Sequence, residues 1–251
     1  MYMSTIKCDK KYIAFICILE LFTGIYISSV RLVNTGTLNL HNAFLIAKET
    51  DHVDLTSYFD MQIFVSLLNM IIITPLISNI FTRRYNAKIY FAATRMKTYS
   101  RFYFRETWNL FKQTVIGNFL FFSGIVVYCV YKIKDFTVDK ELIRYFVLSV
   151  IHATFILFIF VLVETVISVL LNDKLAMLFT VTLLSLSVLM LFVLPVEMRQ
   201  YNIISWYFLS EFLFNGDLFT HSFAFYYVCF MVFVIMAQLF LLPLLKKRDT
   251  L

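Results

Sequence analysis

The sequence predicts an all-α membrane protein with six transmembrane helices, and three observations lead to this prediction. Hydrophobic residues make up 61% of the 251 residues and charged residues only 15%, whereas a soluble domain carries roughly 25% charged residues. Six apolar runs are long enough to cross a bilayer as helices that satisfy their own backbone hydrogen bonds. Lysine and arginine are concentrated on one side of those runs. We therefore expect a single membrane domain over 1–251.

The six predicted spans follow the apolar runs in chain order. They are 12–30, 60–81, 109–131, 142–171, 174–194 and 223–245. Lysines precede the first run as in a signal peptide, but this run is about 19 residues long without a small-residue cleavage site, so we expect a retained helix. Only Asn172, Asp173 and Lys174 separate the fourth and fifth spans, which predicts a tight helical hairpin. With only five glycines, close small-residue helix contacts are not expected to be the main assembly device.

The distribution of charge predicts the orientation of the spans. If the N-terminus is cytoplasmic, the inner segments hold 15 of the 22 basic residues and four acidic residues, and the outer segments hold seven basic and ten acidic residues. Cytoplasmic loops carry an excess of Lys and Arg, so both termini are predicted to be cytoplasmic. Basic residues at inner helix ends meet anionic headgroups, and this explains the net charge of +6 without a nucleic-acid partner.

The largest basic segment, residues 82–112, connects the second and third spans. Projected as a helix over 84–105, it places six side chains within about 40° of one line, and these are Tyr85, Ile89, Ala92, Met96, Tyr99 and Tyr103. Basic residues occupy the remaining arc, which predicts one amphipathic helix, or two short ones, at the cytoplasmic membrane surface. Such a segment either lies on the anionic inner leaflet or enters a groove on a cytosolic partner, and the two interpretations are compatible.

An aromatic run lies between the fifth and sixth spans, on the predicted outer side. Pro195 ends the preceding helix, and the run that follows, about 12 apolar residues, is too short to cross the bilayer. We expect an interfacial or re-entrant helix before the last span. Its residues Trp206, Tyr207, Phe208 and Phe212 form either an outer gate over a substrate exit or an aromatic belt that sets helix depth.

Two carboxylates, Glu20 and Glu164, lie inside predicted spans. An isolated charge at the bilayer centre is costly, so Glu20 is expected to face protein or a water-filled cavity. Glu164 lies about eight residues, or roughly 12 Å, from the inner end of its span. Pairing with a basic residue such as Lys174, partial snorkelling and a place on a substrate pathway are the open interpretations.

Several motifs of enzymes are absent from the sequence. It contains no G-x-x-x-x-G-K-[ST] phosphate loop, no H-E-x-x-H and no G-x-S-x-G. The four histidines are isolated and the four cysteines show no metal or disulfide spacing. We therefore expect no catalytic residue, no metal and no cofactor on this chain.

Taken together, the layout resembles a small ABC-2-type transporter permease over the whole chain. The local resemblance is residues 94–101, T-R-M-K-T-Y-S-R, followed by the aromatic residues 102–104. Upstream of this segment the family often has an acidic residue and a Gly-Thr pair. This sequence has Arg84, Tyr85 and Asn86 there instead. The resemblance implies a coupling segment that contacts an ATPase subunit through Ile89, Ala92, Thr94, Arg95, Met96, Lys97, Tyr99 and Arg101.

The resemblance further implies a homo- or heterodimer of permeases paired with two separate ATP-binding cassette ATPase chains, which would hold the ATP and Mg. It places the chain in the plasma membrane of a bacterium and implies export of an antimicrobial peptide or another amphipathic molecule, or immunity to it. The alternatives are a non-transporting immunity or sensor protein, which needs no ATPase, and a vitamin-binding transport subunit, which binds its substrate alone.

Overall fold

The computed structural model describes residues 2–35, 68–82, 99–132 and 140–193, together with Val232 and Met236. Over these residues the chain is all-helical, as predicted. The five helices are α1 Tyr2–Thr35, α2 Leu68–Thr82, α3 Tyr99–Lys132, α4 Lys140–Leu170 and α5 Asp173–Val193.

Three of these helices contain a stretch long and apolar enough to cross a membrane. The stretches are Lys11–Ser29 in α1, Phe104–Lys132 in α3 and Ser149–Leu170 in α4. They match the predicted first, third and fourth spans. The described part of the second span, α2, is a shorter apolar helix, and of the sixth span only Val232 and Met236 are described, both helical.

Helix α3 begins ten residues before the predicted third span and runs without interruption from Tyr99 to Lys132. The end of the predicted amphipathic segment and the third span are therefore one helix rather than two. The sequence around the expected boundary contains no proline or glycine between Tyr99 and Lys112, so no residue there disfavours helix continuation. At 1.5 Å per residue, α3 is about 51 Å long.

Helices α4 and α5 form the predicted tight hairpin, and Asn172 begins the second helix. The Leu171 N–H donates to the Ile167 carbonyl at 2.8 Å, which closes the last turn of α4. The Leu175 N–H donates to Asn172 Oδ1 at 2.8 Å. A side-chain oxygen that accepts from the third residue of the following helix is an N-cap, so Asn172 both ends the connection and starts α5.

The contact between α1 and α3 depends on two glycines. A Cβ placed on Gly24 would overlap the Phe121 carbonyl oxygen, and a Cβ on Gly124 would overlap the Leu21 carbonyl oxygen. Three of the five glycines in the chain, Gly24, Gly117 and Gly124, lie at this contact. The α1–α3 crossing is therefore a small-residue contact, although the low glycine count argued against such contacts as the main device.

Aromatic contacts show how α3 and α4 pack. Phe111 meets Phe158 edge-on with ring centroids 5.3 Å apart, and Phe119 meets Phe146 at 5.4 Å. The later residue of α3 thus meets the earlier residue of α4, so the helices are antiparallel. The start of α3 therefore lies at the same end of the bundle as the α4–α5 turn.

Candidate functional site

Glu20 lies at the midpoint of the Lys11–Ser29 stretch and is 1% exposed. Asn69 of α2 donates a hydrogen bond from Nδ2 to Glu20 Oε2 at 2.7 Å. A Cβ placed on Gly117 of α3 would lie 3.5 Å from Glu20 Oε1, an ordinary contact distance. The carboxyl group therefore lies where α1, α2 and α3 meet, and its described hydrogen bond joins two helices of the bundle.

Glu164 of α4 has a different environment. Its side chain is 3% exposed, and its Oε2 has no hydrogen-bond partner within 3.5 Å in the described part of the chain. The Thr180 hydroxyl of α5 lies near its carboxyl group. It lines a cavity of about 150 Å³ between α2, α4 and α5. Burying a carboxylate oxygen without a hydrogen-bond donor is energetically unfavourable. The cavity that Glu164 lines is therefore the candidate functional site.

Helix α2 supplies one wall of this cavity. The residues it contributes are Pro75, Ser78, Asn79 and Thr82. The Thr82 hydroxyl lies 3.0 Å from the Ser78 carbonyl oxygen, to which it donates. The Ser78 hydroxyl lies 3.2 Å from the Thr165 hydroxyl of α4, so this wall is hydrogen-bonded to the neighbouring helix.

The α4–α5 turn supplies the other wall, through Ser168, Asp173, Lys174 and Met177. The Ser168 hydroxyl donates to Asp173 Oδ1, which ties the last turn of α4 to the first turn of α5. Lys174 lines the same cavity as Glu164, but no ion pair within 4.0 Å joins them in these described helices. The pairing of Glu164 with Lys174 that the sequence left open is therefore not formed here.

The beginning of α3 is rich in aromatic and charged side chains at the same end of the bundle. Trp108 is 55% exposed and stacks on Phe111, and Lys112 Nζ lies 5.7 Å from the centre of the Trp108 ring. Glu106 is buried, with Arg105 Nε 3.7 Å from its Oε1. Tryptophan with neighbouring basic residues is typical of the membrane–water interface.

Most of the other predicted site residues lie outside the described residues. These are Ile89, Ala92, Thr94, Arg95, Met96 and Lys97 of the coupling segment and Trp206, Tyr207, Phe208 and Phe212 of the outer gate. Tyr99 and Arg101 fall in the first turn of α3. Within the described ranges, no group of three or more His, Cys, Asp or Glu side chains could hold a metal ion.

The sequence predicts that polar residues inside the spans, Asn69 and Thr180 among them, hydrogen-bond between helices, but it does not identify their partners. Asn69 is 49 positions from Glu20, and no local pattern connects the two. A weaker signal did exist for the cavity, because Glu164 and Ser168 are four residues apart, as are Ser78 and Thr82. Residues with that spacing share one face of a helix, so each pair forms a short polar stripe on an otherwise apolar helix.

No protein-family model, no curated protein and no solved structure matches this chain. Its described residues by themselves indicate a membrane protein, because three of its helices are long and apolar enough to span a bilayer. They also bring Glu164 to a cavity beside the α4–α5 turn.

Proposed function

We propose that this chain is the membrane-spanning permease subunit of an ATP-binding cassette exporter, driven by a separate ATPase subunit. One observation carries the proposal: Thr82, the last residue of α2, lines the same cavity as Asp173 and Lys174 at the start of α5. The chain continues from Thr82 directly into the basic segment and resumes a described helix at Tyr99. A protein that pushes on this segment would act on α2 and α3 together, beside the cavity.

The length of α3 supports a mechanical role for the proposed coupling residues. Tyr99 and Arg101 stand at the start of a continuous helix of 34 residues, and Gly124 brings that helix into backbone contact with α1. Displacement of the first turn of a rigid helix moves its far end as well. In the proposal, ATP binding on the partner closes the ATPase dimer, the coupling segment from Ile89 to Arg101 takes up the motion, and α3 carries it across the membrane.

The proposal includes six spans, cytoplasmic termini and the plasma membrane of a bacterium. Trp108 and Lys112 support a membrane–water interface at the start of the α3 stretch. The excess of Lys and Arg in the inner segments supports the orientation. The functional unit would be a homo- or heterodimer of permeases, with ATP and Mg on the ATPase. The proposed cargo is an antimicrobial peptide or another amphipathic molecule, with Trp206, Tyr207, Phe208 and Phe212 as the outer gate.

Co-purification tests this function. The tagged protein is extracted from its native cell in mild detergent, and partners are identified by mass spectrometry in wild type and in Arg95→Glu/Met96→Asp. The matched control is Ile133→Asp/Lys134→Glu, which makes the same kinds of change between α3 and α4, on the predicted outer side. We expect a stoichiometric subunit with a G-x-x-x-x-G-K-[ST] motif in wild type and control, and its loss from the coupling variant.

The other results separate the remaining hypotheses. Retention of the ATPase in the coupling variant would preserve the exporter class and move the contact away from Arg95 and Met96. Absence of any ATPase from intact wild-type protein would contradict the proposal and favour the non-transporting immunity or sensor protein.

A further inference from the structure

The cavity beside the α4–α5 turn has a largely apolar lining, and its polar side chains include several hydrogen-bond acceptors. Glu164 Oε2 has no donor within the described helices. The Thr82 proton is directed to the Ser78 carbonyl and the Ser168 proton to Asp173, so these hydroxyls present oxygen lone pairs to any further partner. A ligand that matches this lining must bring donors.

The charges of the lining favour a ligand with one positive charge. Two carboxylates, Glu164 and Asp173, and one ammonium group, Lys174, line the cavity. When both carboxylates are ionised, one additional positive charge neutralises the group. An ammonium group supplies three donors and no acceptor, which fits the carboxylate oxygens of Glu164 and Asp173.

The size and the apolar part of the wall favour an organic cation over a bare ion. The cavity measures about 150 Å³, and an apolar protein cavity of about that volume accommodates benzene. Pro75 and Met177 add apolar surface to the wall. A short hydrocarbon stem would contact these two side chains while its charged end reaches Glu164.

We propose that this cavity is a binding site for an aminoalkyl cation, one ammonium group on a short apolar stem, with Glu164 as its principal acceptor. This inference goes beyond the transport proposal and does not depend on it, because the site is formed by α2, α4 and α5 of this chain alone. The positive charge of Lys174 repels a cationic ligand in the same cavity. Lys174 therefore weakens ligand binding, whereas Glu164 strengthens it.

The competing explanation is that Lys174 itself serves Glu164 after a change of rotamer. The two explanations differ in the wild type. A ligand site binds an added amine while Lys174 is present, whereas an internal Glu164–Lys174 pair leaves no affinity for an added amine until Lys174→Gln removes the partner.

The test uses the purified protein in uncharged phosphatidylcholine nanodiscs, titrated with n-butylammonium and followed by ligand-detected NMR. The neutral molecule n-butanol controls for apolar binding, and Na⁺ is added as a competitor at constant ionic strength. Glu164→Gln preserves the shape of the side chain. Thr154→Val removes a buried hydroxyl of α4 that does not line the cavity and is the matched control.

We expect saturable binding of n-butylammonium to the wild type, at least tenfold weaker binding to Glu164→Gln and several-fold tighter binding to Lys174→Gln. Thr154→Val should stay within about twofold of the wild type. The control n-butanol should not bind comparably, and Na⁺ should not compete. The proposal is wrong if n-butylammonium shows no saturable binding to the wild type or binds Glu164→Gln equally well. It is also wrong if n-butanol binds as tightly as n-butylammonium or if Na⁺ displaces n-butylammonium. If Glu164→Gln does not fold, the variant Lys174→Gln, which changes an exposed residue, tests the proposal instead. Unchanged or weaker binding of n-butylammonium to Lys174→Gln would contradict the proposal.

Discussion

Asn69 and Glu20 form a 2.7 Å hydrogen bond between α2 and α1, with both side chains buried. The Asn69 amide donates from Nδ2 to Glu20 Oε2. Burying the Glu20 carboxyl in the middle of the first span is costly, and this hydrogen bond offsets part of that cost. The bond also connects two helices that are separated by 32 residues outside the described ranges, 36–67. It therefore adds a directional contact between α2 and α1 to the apolar packing of α2 in the core.

Replacing Asn69 by leucine is expected to lower the free energy of unfolding by about 1–3 kcal/mol, because the buried Glu20 carboxyl loses its donor. Glu20→Gln retains an acceptor oxygen and should lose less. Equilibrium unfolding in detergent micelles, followed by circular dichroism, measures both. The double variant Glu20→Leu/Asn69→Leu should be more stable than the sum of the two single leucine variants implies, and strict additivity would contradict a direct coupling of the pair.

Gly24→Ala is expected to destabilise the protein by about 2 kcal/mol, because overpacking of a close contact typically costs 1–3 kcal/mol. The new Cβ would overlap the Phe121 carbonyl oxygen and force α1 away from α3. Gly117→Ala is the matched control, because its Cβ would meet Glu20 Oε1 at 3.5 Å, and alanine is the better helix former. Equal losses in the two variants would show that the α1–α3 contact does not depend on Gly24.

Asn172→Ala should cost about 1 kcal/mol, the typical effect of removing an N-cap side chain. The reason is the loss of the acceptor for the Leu175 N–H at the start of α5. Hydrogen exchange of the Leu175 amide measures the effect locally, and it should accelerate in Asn172→Ala but not in Asn172→Asp, which keeps a capping oxygen. Unchanged exchange in the alanine variant would argue against the cap.

The ends of α4 provide a test of orientation. A helix of 31 residues is about 46 Å long, longer than the roughly 30 Å hydrocarbon core, so Lys140 and the α4–α5 turn should emerge on opposite sides. In a variant without native cysteines, an impermeant maleimide applied to intact cells should label Lys140→Cys. Lys174→Cys should react only after permeabilisation, and the reverse pattern would contradict the predicted cytoplasmic termini.

The helices themselves could be predicted closely. The predicted first span, 12–30, differs by one residue at each end from the apolar stretch Lys11–Ser29, and the predicted fifth span, 174–194, differs likewise from α5 Asp173–Val193. Apolar composition along a continuous run determines such helices, because lipid offers no alternative partner to the backbone. The exceptions are the starts of α1 and α3. Each helix begins ten residues before its predicted span, although the sequence there is more polar.

The sequence by itself therefore determined the all-helical class, the positions of the apolar helices and the hairpin at Asn172, since each depends on residues that are near one another along the chain. Only the tertiary structure decided that Asn69 meets Glu20, that Gly24 and Gly124 lie at one crossing, and that Glu164 shares a cavity with Ser78 and Lys174. These contacts depend on how the helices rotate about their axes and cross one another. A run of apolar residues is almost equally apolar in every rotation, so its composition does not select the face on which a polar side chain finds its partner.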